Sequence, residues 1–157
     1  AKIMASTLFE AVEDISRCKR CRMLTSNDFC RVCSDLSRDD KSICVVESPS
    51  DVLAIESTGG YKGKYFVLLG RLSPIEGVGP EDLGIEELLV IIESEGIEEL
   101  ILATSSTVEG DATGMYIKDH IPDIKVSRIS YGIPIGGELE YVDSNTIAQA
   151  IQGRTEV

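Results

Sequence analysis

Two Cys-x2-Cys pairs, Cys18/Cys21 and Cys30/Cys33, stand eight residues apart in a stretch with little else to hold it together. Between positions 17 and 41 Cys, Arg, Asp and Ser dominate, so the segment cannot build a hydrophobic core and needs another staple. Each pair places two sulfurs on one small loop, and the two loops together complete a tetrahedral thiolate site with Zn–S distances of about 2.3 Å. Four thiolates are softer than the oxygen sets that suit Mg2+ or Ca2+, and they leave no open position for a catalytic water. The expectation is one structural Zn2+ on Cys18, Cys21, Cys30 and Cys33. Lys19, Arg20, Arg22 and Arg31 surround the cluster. They suit either phosphate attraction or compensation of a negative thiolate site, the second being more economical. Cys44 lies within an apolar run and reads as a buried core residue.

The chain has 157 residues, enough for one main core plus a small satellite module. With 43% hydrophobic and 27% charged residues it has the composition of a globular protein. Its formal net charge of −12 repels nucleic acid phosphates and anionic membranes unless basic groups are locally concentrated. Apolar runs reach only about 5–8 residues, far short of the ~20 needed to span a bilayer. No charged-apolar-small leader opens the chain, so a reducing, cytoplasmic setting without a membrane anchor is expected.

After the cysteine segment, strand and helix signals alternate. An apolar run at 43–46 ends in Glu47, with Ser48 as N-cap and Pro49 opening a helix to 57. Strand signals follow at 65–69, 100–103 and 125–129, and helix signals at 85–95, 111–120 and 145–152. The segment 70–84 reads as a functional loop because of its length. Ahead of the cysteines, Thr7 and Glu10 have capping-box spacing, with Leu8, Val12 and Ile15 on one helical face. Strands apolar on both sides and alternating with helices predict an α/β fold with a mainly parallel sheet flanked by helices. Function in such sheets collects at the carboxyl ends of the strands. Glu47 ends the first strand, and Glu109 and Asp111 follow the third, so three carboxylates share one edge if the strands run parallel. Clustered hard oxygens suit Mg2+ or Mn2+. The same Glu109 and Asp111 also suit a helix N-terminus. His120, the one histidine, reads as an exposed helix-end residue.

These residues resemble the Toprim domain shared by topoisomerases, bacterial primases and related nucleases, whose strand-terminal Glu and D-x-D-like motif bind divalent metal. Glu47 matches the first position; Glu109 and Asp111 replace the aspartate pair. The resemblance is closer still to the RecR family of bacterial recombination mediators, where a four-cysteine zinc motif immediately precedes a Toprim domain. It runs in order through Ile43-Cys44-Val45-Val46-Glu47-Ser48-Pro49-Ser50-Asp51, the loop Leu72-Ser73-Pro74-Ile75-Glu76-Gly77-Val78-Gly79-Pro80, the acidic motif Thr107-Val108-Glu109-Gly110-Asp111-Ala112-Thr113, and the Walker-B-like Gly132-Ile133-Pro134-Ile135-Gly136-Gly137-Glu138-Leu139-Glu140-Tyr141. Arg71 stands where the family often has His.

The resemblance implies four parts: an N-terminal helix over 1–17, the zinc motif over 18–41, the Toprim domain over 42–131 and the C-terminal segment with its helix over 132–157. It also implies a non-enzymatic scaffold that assembles with RecO and RecF, binds gapped DNA, and helps load RecA onto DNA coated with single-strand-binding protein. Glu47, Glu109 and Asp111 would then dock a basic partner, and the C-terminal segment would support self-association to a dimer or ring. Family members carry a DNA-contacting helix-hairpin-helix module ahead of the zinc motif. These 157 residues hold no match to it, so a truncated chain weakened in DNA binding is expected. The alternative is a Mg2+-dependent Toprim nuclease or phosphotransferase using the same carboxylates. No G-x4-G-K-[ST] loop is present to cradle nucleotide phosphates.

Overall fold

The apolar runs at 43–46, 65–68 and 100–103 send alternate side chains to opposite faces of a sheet, as the two-residue period of a strand requires. Ile43, Val45, Phe66, Leu68, Leu100 and Leu102 belong to one buried cluster, while Cys44, Val46, Tyr65, Val67, Ile101 and Ala103 belong to a second. A sheet buried on both faces needs helices on both, and the alternation of elements supplies them.

The computed structural model describes residues 1–121 and 123–156. Pro122, inside the span read as Toprim, and Val157, at the end of the C-terminal segment, lie outside the described residues. The elements are α1 (Lys2–Asp14), β1 (Ser16–Arg17), β2 (Leu24–Thr25), α2 (Arg31–Ser34), β3 (Ser42–Val46), α3 (Pro49–Ser57), β4 (Lys64–Val67), α4 (Ile85–Glu95), β5 (Glu99–Ala103), α5 (Val108–His120), β6 (Lys125–Arg128), a 3-10 turn (Leu139–Tyr141) and α6 (Ser144–Gln152). The main sheet has the order β4-β3-β5-β6, with β3 parallel to both β4 and β5. β3 is buried along its whole length. The first cluster takes Leu88 and Ile92 of α4 and Ile117 of α5; the second takes Val52 and Ile55 of α3. By internal contacts the chain forms two compact units, Ala1–Ser127 and Arg128–Val157. Among the described residues no helix is long and apolar enough to cross a membrane.

Local chemistry explains the helix ends. Ser48 and Asp51 exchange hydrogen bonds in a capping box at the start of α3, with Pro49 at its first position. α4 begins after Gly84 and stops at Gly96, both in the left-handed region. Two expectations need correction. α1 does not start near Thr7: its N-cap is Ala1, and Thr7 lies inside the helix with its hydroxyl donating to the Ile3 carbonyl at 3.0 Å. The preceding Lys2 to Ala5 are adequate helix formers, so the helix runs through the supposed cap. Leu8 and Val12 of α1 are exposed rather than packed. α5 begins three residues earlier than read, with Thr107 as N-cap, which places Glu109 and Asp111 in its first turn.

A polar network ties the segment after the knuckle to the sheet. Arg38 donates to both carboxylate oxygens of Glu56 in α3 and to the Gly63 carbonyl, while Tyr65 donates to Glu56 Oε1 at 2.7 Å. Burial pushes the Glu56 carboxyl up, but the Arg38 guanidinium and the Tyr65 hydroxyl outweigh it and hold it below the usual carboxylate range. A carboxyl more acidic in the folded state than in the unfolded gives stability that is complete above the unfolded value of about 4.3 and lost as pH falls through the folded value. Glu56→Gln should lower the urea midpoint at pH 7, with the gap to wild type closing below a pH of about 4. A gap independent of pH would contradict this assignment.

Candidate functional site

The knuckle is built from two turns. Arg22 N–H donates to the Cys18 carbonyl at 3.0 Å and Cys18 N–H to the Met23 carbonyl at 2.7 Å, folding the first pair into a loop. Arg22 lies in the left-handed region, a conformation that costs a non-glycine residue about 1 kcal/mol or more. In the second loop the Cys30 N–H donates to Cys18 Sγ at 3.3 Å. All four cysteines are buried, with their sulfurs within 4.8 Å of one another. Cys21 and Cys30 sulfurs approach to 3.4 Å.

Such crowding is unfavourable for four thiolates without a cation. The hydrogen bond from Cys21 pulls Cys30 far down, to about 2, while the same contact pushes Cys21 up. At Cys33 a hydrogen bond with Cys21 pulls down, but the one with Cys30, burial and neighbouring negative charge push it up to about 12. Cys21, Cys30 and Cys33 thus pull one another in opposite directions, a conflict that a shared divalent ion would relieve. Four soft, buried, converging donors fit Zn2+. The knuckle has no core of its own: Met23 and Val32 pack on the cysteines and also on the second sheet cluster.

The docking of this knuckle follows from strand periodicity. In extended chain successive N–H groups point to opposite sides; at the end of β4, Val67 N–H bonds the Cys21 carbonyl at 3.0 Å, and the next residue's Leu68 N–H bonds the Val46 carbonyl at 2.9 Å. The metal-binding loop thus covers the exposed edge of the sheet. Arg22 adds a strap, donating to the Leu83 carbonyl and, at 3.4 Å, to Leu68, with its guanidinium carbon 5.6 Å from the Phe66 ring centroid. A Cβ at Gly84 would lie 2.2 Å from that guanidinium, so the bare glycine makes the strap's approach feasible.

The acidic edge lies at the carboxyl ends of β3 and β5. Val46 and Ala103 are register partners, so Glu47 and the 104–105 turn emerge together. Glu47 is largely buried; its Oε1 accepts from the Ser105 N–H at 2.8 Å, and its Oε2 lies 3.7 Å from Arg71 Nη1. Leu69, in the left-handed region, and Gly70 turn the chain back after β4, and Gly70 N–H bonds the Glu47 carbonyl at 3.0 Å. A cleft of about 460 Å3 opens here between Glu47, Pro49, Leu69, Arg71 and Val78. Glu109 and Asp111 sit half-buried in the first turn of α5. The structure brings the four predicted cysteines into ligand range of one another. Among the described residues, Glu47, Glu109 and Asp111 do not form such a group.

Other residues position this edge, and sequence spacing does not flag them. Thr113 is fully buried; its hydroxyl donates to the Glu109 carbonyl at 2.7 Å and accepts from the Leu72 N–H at 2.9 Å, fastening the long loop to α5. Gly110 packs so closely that a Cβ there would lie 2.3 Å from the Ser105 carbonyl oxygen. His120 is exposed at the end of α5, stacked on Tyr116 with centroids 4.0 Å apart. Cys44 is buried in β3, and burial pushes its thiol up to about 12.

A parallel sheet with an acidic carboxyl edge, preceded by a four-cysteine knuckle, defines a Toprim-domain protein, and the Toprim domain family matches residues 41–130. A second family, the RecR C-terminal segment, matches residues 132–155. Curated relatives agree across the chain. Recombination protein RecR of Saccharophagus degradans is 50% identical over all of this chain and 81% of its own length. Those of Hahella chejuensis and Acinetobacter baylyi are each 49% identical, over 96% and 98% of this chain and 76% and 79% of their own lengths. The chain belongs to the RecR family.

Two outcomes test this geometry. Chelation of the metal under reducing conditions should abolish hydrogen-exchange protection at the Val67 amide, which depends on the knuckle, before that at the Leu68 amide, which depends on β3. Equal loss at both would contradict the separation. Gly110→Ala should destabilise the fold by about 1–3 kcal/mol in urea titration, since the new methyl meets backbone rather than a yielding side chain. An unchanged midpoint would show that the turn at Ser105 relaxes freely.

Proposed function

We propose that this chain is a non-enzymatic recombination mediator that docks a basic protein partner on its acidic sheet edge. In this reading Cys18, Cys21, Cys30 and Cys33 hold one structural Zn2+, and the parts are the N-terminal segment over 1–17, whose helix covers Lys2–Asp14, the zinc motif over 18–41, the Toprim domain over 42–131 and the C-terminal segment over 132–157. The supporting observation is the state of Glu47. One of its oxygens is committed to a backbone N–H and the other faces the Arg71 guanidinium, so the carboxylate is held rigid and already has a cationic neighbour. That arrangement favours exchange of one cationic side chain for another over assembly of a Mg2+ site for an in-line displacement.

The family resemblance names the rest: RecO and RecF as partners, gapped DNA as the place of action, and loading of RecA against single-strand-binding protein as the outcome. It also assigns DNA contact chiefly to a helix-hairpin-helix module, and assembly into a dimer or ring to the C-terminal segment. Zn2+ in this scheme contributes structure alone, because four cysteines leave it no open position.

Neutral isosteres test the docking role. Combining Glu47→Gln, Glu109→Gln and Asp111→Asn should weaken binding to RecO at moderate salt by at least tenfold, with the loss appearing in both association rate and salt dependence. Unchanged RecO binding in titration calorimetry would sink the assignment. Carboxylate-dependent cleavage of gapped DNA with Mg2+ or Mn2+ would instead support the enzyme reading.

A further inference from the structure

Among the described residues, one buried side-chain nitrogen or oxygen lacks a hydrogen-bond partner: Nη1 of Arg20. Arg20 stands between the first two cysteines of the knuckle and is only 8% exposed. Its Nε and Nη2 are held by Glu95 at the end of α4, with Nε at 2.9 and 3.0 Å from the two carboxylate oxygens and Nη2 at 2.6 Å from one of them. A guanidinium is planar and rigid, so clamping one side of the fork fixes where the remaining N–H groups point. Leaving a buried donor unpaired is unfavourable, the more so when it is charged.

The surroundings narrow the acceptor that Nη1 is built for. Arg20 and Cys33 border the same cleft, together with Phe29, Asp40, Lys41 and Lys64. Lys64 is paired with Asp40, and Lys41 Nζ donates to the carbonyls of Glu95 and Gly96 at 3.0 Å each. Nη1 itself is closed to solvent, so an anion from solution does not reach it. Arg20 lies between Cys18 and Cys21 in sequence, and Cys33 shares its cleft, so of the cleft's side chains the Cys33 sulfur is the acceptor left without a cation of its own. A thiol sulfur is a weak acceptor, whereas a thiolate is a strong one.

We propose that Arg20 is a positioning residue of the metal centre, with Nη1 donating to the Cys33 thiolate of the loaded site. Glu95, Arg20 and Cys33 then form one line of charge-assisted hydrogen bonds from the end of α4 to the metal ligands. This inference rests on the reading that the four cysteines hold Zn2+. Zinc with four thiolates carries a formal charge of −2, and a buried guanidinium offsets part of it where water cannot. Its role parallels the carboxylate–histidine pairs that orient other metal ligands from the outer shell. It also explains why an arginine is buried beside Cys21 at all: its partner for Nη1 is complete only when the knuckle is loaded.

The test uses the whole chain, reduced and loaded with Zn2+ or Co2+. Arg20→Gln should weaken Zn2+ retention in chelator competition by about 10–100-fold. It should also move the thiolate-to-Co2+ charge-transfer band to longer wavelength, because an unbonded thiolate gives up its electrons more easily. Arg20→Lys, which keeps the charge without the fork, should recover part of both effects. Glu95→Gln, which releases the clamp without removing the donor, should shift the band in the same direction by less, and serves if Arg20→Gln fails to fold. Thr113→Val, which loosens the fold away from the knuckle, should leave the band in place. Wild-type Zn2+ retention with an unshifted band in Arg20→Gln, or in Glu95→Gln should that variant alone fold, overturns the proposal alone. A wild-type chain that takes up neither metal overturns it together with the zinc reading.

Discussion

Four buried sulfurs within 4.8 Å of one another pose an electrostatic problem that packing alone does not solve. Deprotonated, they repel; protonated, they are small apolar groups too few to fold the segment between positions 17 and 41. A divalent cation would turn that liability into a staple, which is what four converging donors suit. The apolar side chains packed on the cysteines are Met23 and Val32, and both are shared with the second face of the sheet, while Leu24, Phe29 and Leu36 stay exposed. In return the knuckle closes the edge of β4 through the Cys21 carbonyl. Closing the knuckle, protecting the sheet edge and completing the second core cluster are thus linked in physical terms.

The same economy governs the acidic edge. β3 is buried at every position and pairs on both sides, so its last residue sets where Glu47 emerges to within the tolerance of the sheet. Beside it, the start of α5 is brought close to the Ser105 turn by the absence of a side chain at Gly110, and the helix is fastened to the long loop through Thr113. The loop needs this anchor because it is short of regular structure: one isolated bridge, Ser73 to Val78, is its internal pairing among the described residues. Rigid strands therefore define one side of the cleft and a tethered loop the other.

Most of the fold could be read from the chain because period-two apolar runs and a capping box are local signals. The Ser48-Pro49 start of α3, the extent of α4 and the burial of Cys44 all follow from neighbours in sequence. The four cysteines were readable for the same reason, since their spacing is the site. What escaped local reading depends on distant partners. The capping-box pattern at Thr7 and Glu10 is absorbed inside a longer helix, because a cap signal competes with the helix propensity of whatever precedes it. The roles of Arg20, Arg22 and Thr113 rest on contacts 41 to 75 residues away, with Thr113, Leu83 and Glu95 as one end of each, and no spacing rule encodes them.

The distribution of positive charge also changes the meaning of the net charge of −12. Arg20, Arg22 and Arg38 are turned inward onto carboxylates and carbonyls, and Lys64 is buried against Asp40. Arg20, Arg38 and Lys64 each take a carboxylate with them, so these pairs cancel locally and are withdrawn as cations that could meet an approaching anion, while the net acidity felt at a distance stays that of the composition. A phosphate backbone meets that field as repulsion, whereas a basic protein surface meets it as attraction. At Glu47 the effect is concentrated: the carboxylate is desolvated by the sheet, held by the Ser105 N–H, and countered by Arg71, the one of these cations that is half exposed. An exposed arginine on a buried carboxylate is the pairing most readily exchanged, because the incoming cation inherits a partner that is already oriented and already stripped of water.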